Sequence, residues 1–251
     1  MARRNVIKCA ITILYSRNAN KILVGEKKVN TLYLSNSLGF PGALLQPGVD
    51  EFFDYRKTNL DRISMNNTFK SDAYGRSIAA ARGLFIESGI LPTVEGVPQK
   101  SKIETIESNP LLKAYREKVE NYPSIFKDLF VAKCLDIKSF IPFTRLQLNT
   151  KSDISYDVEV FALPINDLSI GDKISNNVGK FHWVSADTIP GLKEVFATDH
   201  SNSFNLPSIK KGSISKDVFE TNKNDSHFQE VISRVNIAFL NGNNSMKSVQ
   251  Y

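Results

Sequence analysis

The sequence predicts an α+β fold, and three observations carry the prediction. Two β-branched runs, Asn5 to Tyr15 and Lys21 to Glu26, flank the turn-prone Ser16-Arg17-Asn18-Ala19-Asn20 and read as a hairpin. A helical stretch follows at Gly75 to Ser88. Strand-like segments then return at Phe140 to Leu148, Ser155 to Leu163 and Lys180 to Val184, with no internal repeat.

Each element has a local reason. Tyr33 to Gln46 contains Gly39, Pro41 and Gly42, which break a helix and leave loop and short strand. Glu51 to Asp72 is polar and aperiodic and reads as an inserted loop. At 100° per residue, Ile78, Ala81, Phe85 and Ser88 share one side of the next helix, with Gly83, Ile86 and Glu87 nearly opposite. The first side is expected to pack and the second to look into a cleft. Gly89 ends the helix, because a residue without Cβ takes the left-handed conformation readily.

Pro110 to Asn121 and Ser124 to Lys133 read as two helices joined near Tyr122-Pro123. After the late strands, Ser185 caps a short helix over Ala186 to Ile189, stopped by Pro190 and Gly191. Asp199 to Asp217 reads as loop. Phe228 to Leu240 reads as a last helix with Val231, Val235 and Ala238 on one face, and Asn241 to Tyr251 as a frayed tail.

A chain of 251 residues with 41% hydrophobic and 23% charged residues suits one soluble domain with insertions. The expected organisation is a single domain over 1–240, with an insertion at about 51–73, added helices at about 108–133, and a tail at 241–251. A net charge of +6 permits an anionic ligand such as a nucleotide, coenzyme A or RNA. The basic residues are scattered, so a nucleic-acid partner is permitted and not favoured.

Cys9 and Cys134 lie far apart in apolar surroundings and read as buried free thiols of a reducing compartment. No apolar run is long enough for a membrane span. Met1-Ala2-Arg3-Arg4-Asn5 is basic, but a strand pattern follows it where a signal peptide would have its apolar core. An intracellular, by default cytoplasmic, location is expected. A short mitochondrial presequence stays open, as does a peroxisomal location, although Ser248-Val249-Gln250-Tyr251 is no Ser-Lys-Leu type address. His182, His200 and His227 lack metal-ligand spacing, and no Gly-x-Ser-x-Gly is present.

Two segments carry the functional reading. One is Phe40-Pro41-Gly42-Ala43-Leu44-Leu45-Gln46-Pro47-Gly48-Val49-Asp50; the other is Ala79-Ala80-Ala81-Arg82-Gly83-Leu84-Phe85-Ile86-Glu87-Ser88-Gly89-Ile90. In order and offset they resemble the glycine loop and box helix of the Nudix hydrolases. The long spacer between them is similar to that of the peroxisomal coenzyme A diphosphatase subgroup. Phe143-Thr144-Arg145-Leu146, Tyr156 to Phe161, His182 to Ser185 and Asn205 to Ser208 look like that group's later landmarks, so the likeness runs from Asn5 to Ser208.

The resemblance implies a Nudix-type α/β/α sandwich with a mixed sheet. It implies hydrolysis of a nucleoside diphosphate linked to another moiety, coenzyme A in the best-known case, with Mg²⁺ or Mn²⁺ clamping the pyrophosphate. The family frame Arg-Glu-x-x-Glu-Glu-x-Gly falls on Arg82, Gly83, Ile86, Glu87 and Gly89, so one box carboxylate of three is kept. The loop acids fall on Gln46 and Val49, and its second glycine is Ala43.

Glu87 is therefore the implied remaining metal ligand and catalytic acid, or an ordinary helix acid. Arg82 either orients the acid beside it or is a surface arginine that holds a loop carbonyl or Glu87. Gly83 marks a close approach by backbone or ligand, or drift after lost selection. Ile86 suits a cleft closed by the insertion or by a partner. Phe40, Gly42 and Tyr156 are the implied substrate-binding residues, with Phe40, Tyr156 and Tyr33 able to stack on a base or to fill the core. Asp50, Glu51, Asp54, Asp72 and Glu159 are candidate replacement acids. Three functions remain open: a hydrolase with weak or absent metal-dependent cleavage, a non-catalytic protein that binds nucleotide, coenzyme A derivative or RNA or serves in an assembly, and a fully active enzyme with relocated ligands.

Overall fold

The structure is a computed structural model that describes residues 5–27, 37–61, 73–149, 154–175 and 180–188. The first hairpin forms as expected. Strand β1 (Asn5–Ser16) turns through Asn20, at φ 50°, into β2 (Lys21–Lys27), with Leu14 opposite Leu23. Two short strands, β3 (Ser37–Gly39) and β4 (Gly42–Leu44), then pair with β2 and β1 respectively.

The late strands complete a mixed sheet. β8 (Ile141–Asn149) and β9 (Ile154–Pro164) are antiparallel, β9 lies parallel to β1, and β10 (Phe181–Ser185) closes on β2, giving the order β10-β2-β1-β9-β8. Both faces are buried. Ala10, Leu14, Phe161 and Leu163 join one core, while Ile11, Ile13, Tyr15, Val158 and Val160 join a second. That is why Asn5 to Tyr15 reads as a nearly continuous apolar run rather than a strict alternation.

Helix α1 (Ala73–Ser88) crosses the first face and stops at Gly89, whose φ of 70° lets its N–H reach the Phe85 carbonyl at 2.8 Å. The expected division into a packed side and an open side does not hold. Every residue from Tyr74 to Phe85 is buried, and Ser88 with them. Small and apolar residues surround this helix on all sides, the composition of a central helix rather than a surface one.

A second layer covers it. The hairpin β5 (Leu91–Glu95) and β6 (Lys100–Glu104), with β7 (Cys134–Leu135), forms a three-stranded sheet in the order β6-β5-β7. Between β6 and β7 lie α2 (Leu111–Asn121) and a 3₁₀ run, Pro123–Leu129. The second added helix expected at Ser124 to Lys133 is thus a tighter, shorter run that ends at Leu129, and β7 starts just past Lys133. Phe126 sits at its centre, 5.3 Å from Phe130, 6.0 Å from Phe53 and 6.1 Å from Phe85, ring to ring. These contacts fasten the insertion to α1.

In the Glu51 to Asp72 insertion the described part contains a 3₁₀ turn, Tyr55–Lys57, capped by Asp54; residues 62–72 lie outside the described residues. Helix α3 (Ile170–Ser175) precedes β10, and the short helix expected after Ser185 is a single 3₁₀ turn, Ala186–Thr188. The helix, loop and tail expected beyond residue 188 lie outside the described residues. No described helix is long and apolar enough to cross a membrane.

Candidate functional site

The glycine loop is built onto β1. The Thr12 N–H donates to the Pro41 carbonyl at 2.8 Å, and the Leu45 N–H donates to the Lys8 carbonyl at 2.9 Å. The loop then curls back over Gly48, at φ 80°, and delivers Asp50 to the interior. There the carboxylate accepts the Gln46 N–H at 2.8 Å and both Arg82 donors, Nε at 2.9 Å and Nη2 at 2.8 Å. Arg82 Nη2 also donates to the Leu44 carbonyl at 2.8 Å. Arg82 therefore holds a loop carbonyl, but as a buried residue rather than the surface arginine of the second expectation, and it holds Asp50 besides. Asp50 adjoins Val49, at a vacated acid position, and that adjacency was the only sequence signal of the pairing.

Gly83 explains the middle of the helix. A Cβ built there would lie 2.3 Å from the Gly42 carbonyl carbon, 2.6 Å from Ala43 N and 2.7 Å from Gly42 O. The helix and the Phe40-Pro41-Gly42 turn are neighbours, as the sequence implied. They meet backbone to backbone at Gly83. Ile86 is half-buried against the main core, and its carbonyl accepts Arg116 Nε at 2.5 Å from α2. Glu87, one residue on, is half-buried near the end of α1.

The solved structures decide what this architecture is. The chain is similar to a NUDIX hydrolase from Alicyclobacillus acidocaldarius, at TM-score 0.56 and 15% identity, over 74% of this chain and 82% of that one. The chain has the Nudix fold. A NUDIX hydrolase from Nitrosomonas europaea aligns at TM-score 0.33 and 12% identity, over 78% of this chain and 82% of that one, too low to add weight. No protein-family model matches the chain, and no curated protein matches it.

Of positions 83, 86 and 87, which the resemblance assigned to the box, only Glu87 carries a carboxylate. Asp50 is held by Arg82, Asp54 pairs with Arg56 at 2.8 Å, Glu51 is exposed, and Asp72 lies outside the described residues. Glu159 lies on another strand of the sheet. Helix α1 crosses the sheet diagonally: Arg76 meets Asp157 on β9, Ala80 meets Thr12 on β1, and Gly83 meets Gly42 on β4. Glu159 lies on β9, whereas the end of α1 that carries Glu87 lies past the contact of Gly83 with β4. Among the described residues no group of three or more His, Cys, Asp or Glu side chains is arranged to hold a metal ion.

Glu159 belongs to a different network. Asp157 accepts Arg76 Nη2 at 2.6 Å and Arg145 Nη2 at 2.5 Å, and Arg145 Nε lies 3.8 Å from Glu159. Burial pushes the Asp157 carboxyl up. The Arg145 bonds and the Arg76 charge outweigh burial and hold it below the usual carboxylate range.

Phe40 and Tyr156 lie in the second core, 2% and 7% exposed, on the sheet face away from α1. A base cannot reach either ring there without opening the core. Gly42 is the contact surface for Gly83. Cys9 and Cys134 are both free, Cys9 buried and Cys134 only partly so. His182 is exposed on β10; Tyr33, His200 and His227 lie outside the described residues. Two clefts among the described residues, of about 650 and 550 Å³, are lined by the added layer and the loop after β9, and include none of Gly83, Ile86 or Glu87.

Proposed function

We propose that this chain is a non-hydrolytic Nudix-fold protein, in which the box helix is a packing element and metal-dependent diphosphate cleavage is absent. The observation that carries the reading is the contact of Gly83 with Gly42 and Ala43. A carboxylate at position 83 has no room, because its Cβ would overlap backbone that cannot rotate away. Ile86 turns the next ligand position into core, and Arg82 and Asp50 neutralise each other inside the loop.

Mg²⁺ prefers six oxygen ligands in near-octahedral array. With Glu87 alone at the box positions, the residues present do not fit a resident Mg²⁺ or Mn²⁺. A nucleoside diphosphate or coenzyme A derivative is then a ligand to be held rather than cleaved, consistent with the net charge of +6.

A second reading, a weak hydrolase of the coenzyme A diphosphatase type, is supported by the half-buried Glu87 at its family position. Manganese binding separates the two. Mn²⁺ titration followed by electron paramagnetic resonance is expected to show no stoichiometric site below millimolar concentration. A single site that Glu87→Gln removes would support the hydrolase reading instead. Thermal shift with ADP, ADP-ribose and coenzyme A, each without metal, tests holding, since a ligand at 100 times its Kd raises stability by about 2.7 kcal/mol.

A further inference from the structure

The second core has no covering layer among the described residues. Its twelve buried members, Ile11, Ile13, Val158 and Val160 among them, come from β1, β2 and β9 with Phe40 and Ala186, and none is more than 7% exposed. Helices α1 and α3 both pack into the first core, and the second holds no residue of a described α-helix. A sheet face buries its side chains only against another layer. The burial exists within a single chain, so the chain itself supplies that layer.

Length and exit point select the segment. Of the stretches outside the described residues, 28–36, 62–72, 150–153 and 176–179 are each 11 residues or fewer, and 62–72 leads into α1 on the other face, whereas 189–251 has 63. The described chain ends at Thr188, directly after Ala186, which itself belongs to the second core. The chain therefore leaves on the face that needs a cover. Residues 228–240 have the pattern such a cover requires. At 100° per residue, Phe228, Val231, Ile232, Val235, Ala238 and Phe239 fall within about 120° of arc, and Gln229, Glu230, Ser233, Arg234 and Asn236 lie outside it, with Ile237 and Leu240 the apolar exceptions. A helix of that length spans about 20 Å, the width of about four strand spacings.

We propose that residues 228–240 dock as an amphipathic helix across the second face of the sheet, over β1 and β9, with the stripe of Val231, Val235 and Ala238 against Ile11, Ile13, Val158 and Val160. The intervening residues, 189–227, at about 3.3 Å each when extended, reach any point of that face. Docking removes water from a sheet face whose side chains are otherwise apolar, and the polar side of the helix stays in solvent. The face lies away from the box helix, so the proposal stands whether or not that helix serves diphosphate cleavage.

Cys9 sits in the second core and reports on its cover. In the full chain carrying Cys134→Ser, Val235→Asp puts a charge into the docked stripe and should speed modification of Cys9 by 5,5′-dithiobis(2-nitrobenzoate) about tenfold or more. Ser233→Asp, on the opposite side of the helix, should leave the rate unchanged. Photo-crosslinking keeps the proposal testable if Val235→Asp misfolds. A benzophenone amino acid in place of Arg234, at the margin of the stripe, should crosslink on irradiation to peptides of β1 or β9 of the same chain, read by mass spectrometry. Equal Cys9 rates in the two folded aspartate variants, or crosslinks that miss the sheet, would overturn the proposal. Crosslinks to the sheet of a second copy, identified by mixing isotope-labelled and unlabelled chains, would make the face an interface between copies and equally overturn it.

Discussion

Arg82 and Asp50 meet through two N–H···O bonds of 2.9 and 2.8 Å, with side chains 4% and 0% exposed. Removing one partner leaves the other charge buried and unmatched, which costs about 3–5 kcal/mol. Asp50→Ala and Arg82→Ala should each lose about that much in urea unfolding. The double variant should lose less than the sum of the two, because the orphaned charge is gone. Additive losses would mean that the pair is not a unit.

Gly83→Ala is expected to destabilise, against helix propensity. Alanine in place of glycine inside a helix ordinarily gains about 1 kcal/mol. Here the new methyl would meet Gly42 and Ala43 backbone at 2.3 to 2.6 Å, and overpacking of this kind costs about 1–3 kcal/mol. A net loss of about 0–2 kcal/mol in unfolding free energy follows from the two figures, toward the upper end because the obstruction is backbone. A stabilised Gly83→Ala would show that the loop yields, and with it the argument against a carboxylate at this position.

Two carboxylates should govern acid unfolding. Asp157 is held below its usual range as described above. For Glu104 burial acts upward, and the Lys133 and Asn109 bonds outweigh it. Both folded values lie below the unfolded ones near 4. Their contribution is complete above about pH 4 and is lost as pH falls through the lower folded values. Asp157→Asn and Glu104→Gln should be less stable at pH 7 and should show a flatter decline between pH 5 and 2, read by urea midpoints across that range. An unchanged slope would remove that carboxylate from the acid transition.

The cysteines should separate by reactivity. Burial pushes the Cys9 thiol up to about 12, so it carries almost no thiolate at pH 8. Cys134 is partly exposed. Titration with 5,5′-dithiobis(2-nitrobenzoate) should modify Cys134 in the folded chain and both thiols in urea. Rapid native modification of Cys9 would contradict its burial.

The parts of this fold that sequence makes legible are those with local causes. The β1–β2 hairpin, the α1 boundary at Gly89, and β9 follow from β-branched runs, turn residues and a glycine stop. The β5–β6 hairpin is not legible in that way, because Lys100, Ser101 and Lys102 are exposed and only Ile103 and Glu104 turn inward. A solvated edge has no apolar period to read. The environment of α1 depended on the added layer that covers it, with Phe126 reaching Phe85 across 41 positions of sequence. Gly83 illustrates the limit best. Its residue type suggested a close approach, but the partner, Gly42, lies across a spacer of no readable pattern.

Turnover tests the central claim most directly. The purified chain would be incubated with coenzyme A, ADP-ribose, ADP-glucose and NADH, each with Mg²⁺ or Mn²⁺, and product nucleotides resolved by chromatography. The account predicts no metal-dependent cleavage above the protein-free blank, and the same result for Glu87→Gln. Metal-dependent release of a nucleoside monophosphate that Glu87→Gln abolishes would contradict it.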